Sequence, residues 1–294
     1  MSKRSKSKTR AGFLLTLPAM IIVGSFLIYP VFYLIRMSFF DYSPLRSLDA
    51  TFVGFGNYSW AFKSDIVRHS LWITLQFTVL SVGLEVVSAL LLAALMTKLI
   101  LEGKSKFDRF LYSLVNGFII LPFATPAVCA ALAWKIMLQP QFGPINQILS
   151  SKIAWFSEYP LLSVAVADAW KMTPMVFFLF LSAILSIDPS QFEAARIDGA
   201  TWLQEFFYLT LPSIWPIITV TTAFRAVDAF TKVFDIVFMT TGGGPAQATE
   251  VFPLLVWKTA FSHLRFGQAS ALAVIAILIS FLLGGGLLLI RRKK

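Results

Sequence analysis

The chain has 294 residues, 57% of them hydrophobic and 14% charged, with a mean hydropathy of +0.75. Soluble domains carry roughly a quarter of their residues as charges, so this composition excludes an ordinary water-soluble enzyme or binding module. The net charge of +10 is divided into blocks between long apolar runs rather than spread as a nucleic-acid-binding patch, and runs of about 20 apolar residues fit bilayer crossings.

Residues 13–40 form the first expected span. Its apolar segment is longer than a secretory core and no small-residue cleavage site stands out, so it reads as an uncleaved anchor. Phe52-Val53-Gly54-Phe55-Gly56-Asn57-Tyr58 follows in an outer loop, where Asn57-Tyr58-Ser59 is formally a glycosylation sequon. Further spans are expected at about 71–97 and 109–137. Between them, Gly103-Lys104-Ser105 tempts a phosphate-loop reading, but that loop needs a glycine at position 98, which is Lys98. Pro122 and Pro126 should kink or unwind the third span. Cys129 in the same run reads as a small packing residue without a disulfide partner.

The fourth and fifth spans are expected at about 161–187 and 212–240. The second of these leads into Thr241-Gly242-Gly243-Gly244-Pro245-Ala246-Gln247-Ala248-Thr249, whose glycines and proline predict a compact turn. A sixth span at about 268–290 ends in Arg291-Arg292-Lys293-Lys294. The fold class is an all-α membrane protein with six transmembrane helices. Residues 1–10 form a basic terminus, and 11–294 form one domain.

Charge placement orients it. Residues 1–10, 98–110, 188–212 and 291–294 together hold fourteen Lys or Arg, against six in 41–70, 138–160 and 241–267. By the positive-inside rule both termini and loop 188–212 face the cytoplasm.

That loop, continued to Pro216, is a polar island between two apolar runs. Asp188 can cap a helix, Pro189 suits its first position, and Gln191 has capping-box spacing. Gly199 permits a sharp turn, and Thr201–Tyr208 reads as a second short helix with Trp202, Phe206 and Leu209 at helical spacing. Pro212 and Pro216 then open the fifth span.

The order Glu193-Ala194-Ala195, Asp198-Gly199-Ala200, Phe206, Leu211-Pro212 and Pro216 resembles the EAA loop of ABC-importer permeases. The stretches at 52–58 and 241–249 resemble those of the carbohydrate-uptake group, so the likeness covers nearly the whole chain. It implies the six-helix type I (MetI-like) permease fold in the bacterial inner membrane. It assigns Glu193, Ala194, Ala195, Asp198, Gly199 and Ala200 to coupling with a cytoplasmic ATPase, Gly199 making the turn. The implied partners are a second, similar but different permease, an ATPase dimer, a periplasmic or extracellular solute-binding protein, a sugar-type substrate and the lipid bilayer, with no nucleic acid. It also implies that the chain is not an enzyme and binds no cofactor or metal, ATP and Mg belonging to the ATPase. In a bacterial-type importer the sequon should be inert.

Intramembrane ionisable groups usually face a bundle interior or a wet cavity. Asp168, Lys171, Met172 and Met175 share one helical face of the fourth span, and Arg225, Asp228, Lys232 and Asp235 one of the fifth. In the maltose permease that this chain resembles, the corresponding spans hold the sugar, which makes both faces a candidate substrate path. The alternatives are that Asp168–Lys171 and Arg225–Asp228 are structural ion pairs locking helices together, or that they sit near the outer end in water. A cation left without a carboxylate could hold a sulfonate, phosphate or carboxylate on the solute. Glu85 stands alone in the second span and reads as a hydrogen-bond partner of a neighbouring helix; His69 and His263 read as solvated surface. An ion-coupled secondary transporter is the rival reading of the membrane charges.

Overall fold

The computed structural model describes the backbone of residues 3–102 and 106–291. Residues 103–105, with the rejected phosphate-loop fragment, and the basic side chains at 3–10, 106, 109 and 291–294 lie outside the described residues, so the charge asymmetry is read from the sequence.

Helix α1 (Lys3–Met37) leads into the antiparallel hairpin β1 (Phe40–Ser43) and β2 (Ser47–Phe52), then α2 (Gly56–Lys63). The long α3 (Asp65–Glu102) is followed by α4 (Lys106–Ile119), the single turn α5 (Leu121–Ala124) and α6 (Ala127–Met137). Short helices α7 (Pro144–Ile148) and α8 (Trp155–Glu158) precede α9 (Pro160–Leu185) and α10 (Pro189–Ile197). Next, α11 (Trp202–Gln204) passes through a π-helical turn, Glu205–Thr210, into α12 (Leu211–Lys232), and α13 (Phe234–Thr240) comes after a one-residue break. Finally come α14 (Phe252–Trp257), a second π-helical turn at Lys258–Ser262, and α15 (Phe266–Arg291).

Among the described residues, five helices are long and apolar enough to cross a membrane: Leu15–Met37, Asp65–Lys98, Pro160–Leu185, Trp202–Lys232 and Phe266–Gly286. The expected third span is a bent pair, Ser113–Ala124 and Ala127–Met137, meeting at 102°. Its break falls at Thr125-Pro126, because proline removes a helical donor and its ring collides with the preceding turn. The fifth span differs from expectation at both ends: its helix begins ten residues before 212, at Trp202, and stops at Lys232.

The chain divides into two compact units. The first comprises residues 1–64 and 256–275. Here Asn57 is buried, and its side-chain amide donates to the carbonyls of Ser38 and Phe40, both at 2.9 Å. The sequon asparagine is thus occupied inside the fold. Tyr58 hydroxyl meets Ser38 Oγ at 2.6 Å, and Phe39, Phe55 and Tyr58 pack ring on ring. Gly267 opens α15 so close to the hairpin that a Cβ there would collide with the Phe40 carbonyl.

The second unit, residues 65–255 and 276–294, is built on α3 against α9 with α12 across them. Ala89 and Ala93 on α3 let Val176, Phe177 and Phe180 of α9 approach closely, and Ile214 and Ile218 of α12 complete the cluster. Lipid tails are as apolar as these side chains, so close van der Waals fit, rather than expulsion from water, holds such helices together. On the same α3, Ser70, Thr74, Thr78, Ser81 and Glu85 form a buried polar stripe. Ser70, Thr74 and Thr78 donate to carbonyls one turn back, and Thr74 Oγ1 also accepts the Phe252 N–H at 2.7 Å.

Gly267→Ala is expected to destabilise the protein by about 1–3 kcal/mol, because backbone rather than a movable side chain is in the way. Gly285→Ala on the same helix, where a Cβ meets nothing within 4 Å, should be neutral or slightly stabilising. Thermal unfolding of the purified variants compares the two.

Candidate functional site

Two constructions stand out in the second unit, and α12 belongs to both. The first is the helix α10. Asp188 caps it by accepting the Ser190 N–H at 3.0 Å, and that backbone bond holds its carboxyl below the usual carboxylate range. The capping box is not at Asp188 and Gln191 as the spacing suggested. It lies at the next helix start, where Thr201 N–H donates to Gln204 Oε1 at 2.8 Å and Gln204 N–H to Thr201 Oγ1 at 3.4 Å.

At its C-terminus, Gly199 N–H donates to the Arg196 carbonyl and Ala200 N–H to that of Ala195, a Schellman closure with Gly199 at φ +81°. Glu193, Ala194, Asp198 and Gly199 are exposed, while Ala195 and Ala200 are half-buried. Phe192 points the other way and is buried among Ala94 and Thr97 of α3, Ile184 of α9 and Phe206. Arg196 Nε donates to the buried Glu205 carboxylate at 3.0 Å, and Lys98 Nζ lies 5.6 Å over the Trp202 ring. The helix is therefore braced from behind and bare in front.

The expected second short helix and the fifth span are one rod. Leu211 N–H reaches back five residues to the Phe206 carbonyl, and Ser213 Oγ donates to Leu209 O at 2.6 Å. These bonds carry the helix past Pro212, which has no N–H to give. The composition around Pro212 suggested a boundary; the π-register that avoids one is not visible in sequence.

The second construction is a buried knot of ions at Arg225, whose side chain is 1% exposed. Its Nε and Nη2 donate to Glu85 of α3 at 2.7 and 2.8 Å. Nη2 also lies 3.5 Å from Asp168 of α9, and Nη1 is paired with Asp228 one turn along α12. Ser81 Oγ lies 2.7 Å from Asp168 and 3.0 Å from Glu85, and Lys232 Nζ is 2.6 Å from Asp228. A guanidinium offers five donors in a planar fork, which is what lets one residue tie three helices.

Glu85 does find its partner on a neighbouring helix, as its isolation suggested, but the partner is a cation and Glu85 belongs at the centre of the cluster. Residues 85 and 225 are far apart in sequence, and no pattern joined them. The alternative pairing of Arg225 with Asp228 is present. The pairing of Asp168 with Lys171 is not: Asp168 turns to Arg225 and Ser81, whereas Lys171 Nζ sits 5.7 Å over the Phe123 ring. Asp235 does not continue the α12 face, because the helix breaks at Val233 and Asp235 lies exposed on α13. Met172 and Met175 are half-buried beside Lys171 on α9.

Elsewhere, Cys129 is exposed on α6 rather than packed. His69 Nε2 is 3.1 Å from the Gln247 carbonyl, and His263 is exposed. Among the described residues no group of His, Cys, Asp or Glu has the arrangement of a metal site.

Fold and site together define a polytopic membrane protein in which, among the described residues, a buried arginine ties three helices and the α9–α12 connection carries a capped helix with a solvent-exposed edge. The sequence pattern of the binding-protein-dependent transport system inner membrane components matches residues 89–293. The chain is 31% identical over 287 residues to the trehalose/maltose transport system permease protein MalF of Thermococcus litoralis, covering 94% of this chain and 91% of that one. It is likewise 31% identical to the sulfoquinovosyl glycerol permease SmoG of Agrobacterium fabrum, with 96% and 90% covered, and to the sn-glycerol-3-phosphate permease UgpA of Yersinia pestis, with 93% of each covered. A bacterial ABC transporter involved in import of the acidic polysaccharide alginate superposes with a TM-score of 0.78 at 22% identity over 99% of both chains. The chain belongs to the family of binding-protein-dependent transport system inner membrane components, and its fold is that of type I ABC-importer permeases.

Arg225→Met should cost about 3–5 kcal/mol, because it leaves Glu85, Asp168 and Asp228 facing one another without their cation. Arg225→Lys should not restore the loss, since an ammonium cannot serve two carboxylates in a fork. Thermal stability and yield of the membrane-inserted variants measure both.

Proposed function

We propose that this chain forms half of the translocation pathway of an ATP-driven importer for a sugar or sugar derivative. In this reading α10 docks into a cytoplasmic ATPase dimer, a second and different permease completes the pathway, and a solute-binding protein delivers the substrate from outside. The chain does no chemistry of its own: ATP and Mg belong to the ATPase, and both termini lie on the cytoplasmic side with α10. Membership in a binding-protein-dependent transport family displaces the ion-coupled alternative.

The observation that carries the reading is the build of α10. An exposed edge of Glu193, Ala194, Asp198 and Gly199 is backed by a buried phenylalanine and an ion pair to the foot of α12. A helix needed only to reverse the chain would not be held so firmly. Small alanines admit a close partner surface, and the two carboxylates offer it charged hydrogen-bond acceptors. Relatives named for trehalose/maltose, sulfoquinovosyl glycerol and glycerol 3-phosphate support a small hydroxyl-rich solute. The proposed path runs along the α9 and α12 faces carrying Lys171, Met172, Met175 and Lys232, towards Asp235. Asp168, Arg225 and Asp228 form the tie behind it.

Gly199→Val tests the coupling, since a β-branched residue at φ +81° is strained wherever it stands. Solute-stimulated ATP hydrolysis and uptake in proteoliposomes should separate in this variant, with uptake falling at least tenfold while the complex still assembles. Normal coupling would remove α10 from this role. Uptake by the parent complex should stop with vanadate and persist with an ionophore; the reverse would overturn the ATP-driven reading.

A further inference from the structure

Two cations, Lys171 and Lys232, stand on the proposed path and a third, Arg225, behind it, and the structure separates them. Arg225 is enclosed, with carboxylates of Glu85, Asp168 and Asp228 around its guanidinium. Lys232 is 75% exposed but has Asp228 at 2.6 Å. Lys171 differs from both. Among the described residues it makes no ion pair, although Asp168 stands only one turn before it, because that carboxylate is held by Arg225 and Ser81. Its ammonium instead rests 5.7 Å over the ring of Phe123, at the end of the half-span that breaks before Pro126.

An aromatic face positions a cation without neutralising it. Lys171 is half-buried and Phe123 exposed, so the ammonium is fixed in place with donors still to satisfy. A neutral sugar is recognised by hydroxyls and apolar ring faces and has no need of such a group. Asp168, one turn away and held by Arg225, offsets this charge only at a distance, and a partly desolvated ammonium without a contact partner regains its cost when an anion arrives.

Resting on the importer reading above, we propose that Lys171 anchors a negatively charged group of the passing solute, so that the substrate is a sugar bearing a carboxylate, sulfonate or phosphate. Phe123 holds the ammonium towards the path. The knot behind it engages Arg225 and Lys232 directly with its three carboxylates, so Lys171 is the cation of the three without a contact ion pair among the described residues.

The test uses the full importer in detergent, trapped with vanadate and free of binding protein, titrated with glucuronate, glucose 6-phosphate and glucose while intrinsic tryptophan fluorescence is followed. The two charged probes are expected to bind at least tenfold more tightly than glucose, with a preference that shrinks as salt is raised. Lys171→Gln should abolish the preference by weakening the charged probes at least tenfold relative to glucose; Lys171→Arg should keep it. Glucose binding as well as the charged probes, or no binding of either charged probe by the parent complex, would overturn the proposal. So would a Lys171→Gln variant that weakens all three ligands together or fails to assemble, since Lys171 would then serve to balance the knot's surplus carboxylate. Failure to trap with vanadate, by contrast, would count against the ATP-driven reading itself.

Discussion

The guanidinium of Arg225 is the constraint on which the membrane bundle depends. A charge at that depth is costly alone, and every helix that surrounds it must therefore deliver a counter-charge. Glu85 from α3, Asp168 from α9 and Asp228 from α12 itself converge on it, with Ser81 bridging two of the carboxylates. Sliding or rotating any of these helices by one residue would pull an acceptor away and strand a buried charge. The apolar contacts are far less particular. Ala89, Ala93, Phe177 and Phe180 let α3 and α9 lie close, but packing of this kind in lipid has no water-driven term to fix its register. The knot supplies register and the small-residue seam supplies proximity.

Much of this was legible in the residues, for a simple reason: crossing a bilayer demands long apolar runs, and proline disrupts a helix by local sterics. The spans at 160–185 and 266–291 lie within a few residues of where hydropathy put them, and the third span breaks beside Pro126. Phe52–Tyr58 and the Glu193–Ala200 stretch stand out by motif; the first is packed around the buried Asn57, and the second is capped at both ends by Asp188 and the Gly199 turn. What was not legible depends on distance or on register. Glu85 and Arg225 are joined only by the fold. The face running from Arg225 to Asp235 assumed an unbroken helix, and one residue of break at Val233 removes its last member. The join at Pro212 looked like a helix boundary because the π-helical bonds that bypass it leave no compositional mark. Thr201 and Gln204 match the capping-box pattern as well as Asp188 and Gln191 do; only the second of the two helix starts closes it on both sides.

The same rod that carries Arg225 begins just after α10, and this gives the two constructions a common mechanical meaning. Arg196 grips Glu205 at the foot of the rod, and Arg225 lies twenty residues further on, about 30 Å along a helix. Neither Pro212 nor Pro216 interrupts it. A load applied to the exposed edge of α10 has little slack to absorb it: the Schellman turn at Gly199 is closed by hydrogen bonds, Phe192 is buried, and the ion pair has a short reach. On the importer reading, movement of a docked ATPase would be delivered as tilt of α12. The knot at the other end then has two options. It travels as a body, taking α3 and α9 along, or it exchanges one carboxylate for another around a fixed guanidinium. Arg225 already meets Glu85 through two donors and Asp168 at a looser 3.5 Å, and that inequality favours exchange at Asp168 while Glu85 stays bound. In such an arrangement α9 stays with α3, held by Ser81 on Asp168 at 2.7 Å and by the alanine seam, and α12 is the helix that shifts against it. Since α9 bears Lys171 on its half-buried face and α12 bears Lys232, on the importer reading that shift would alter the spacing of the two lysines along the proposed path.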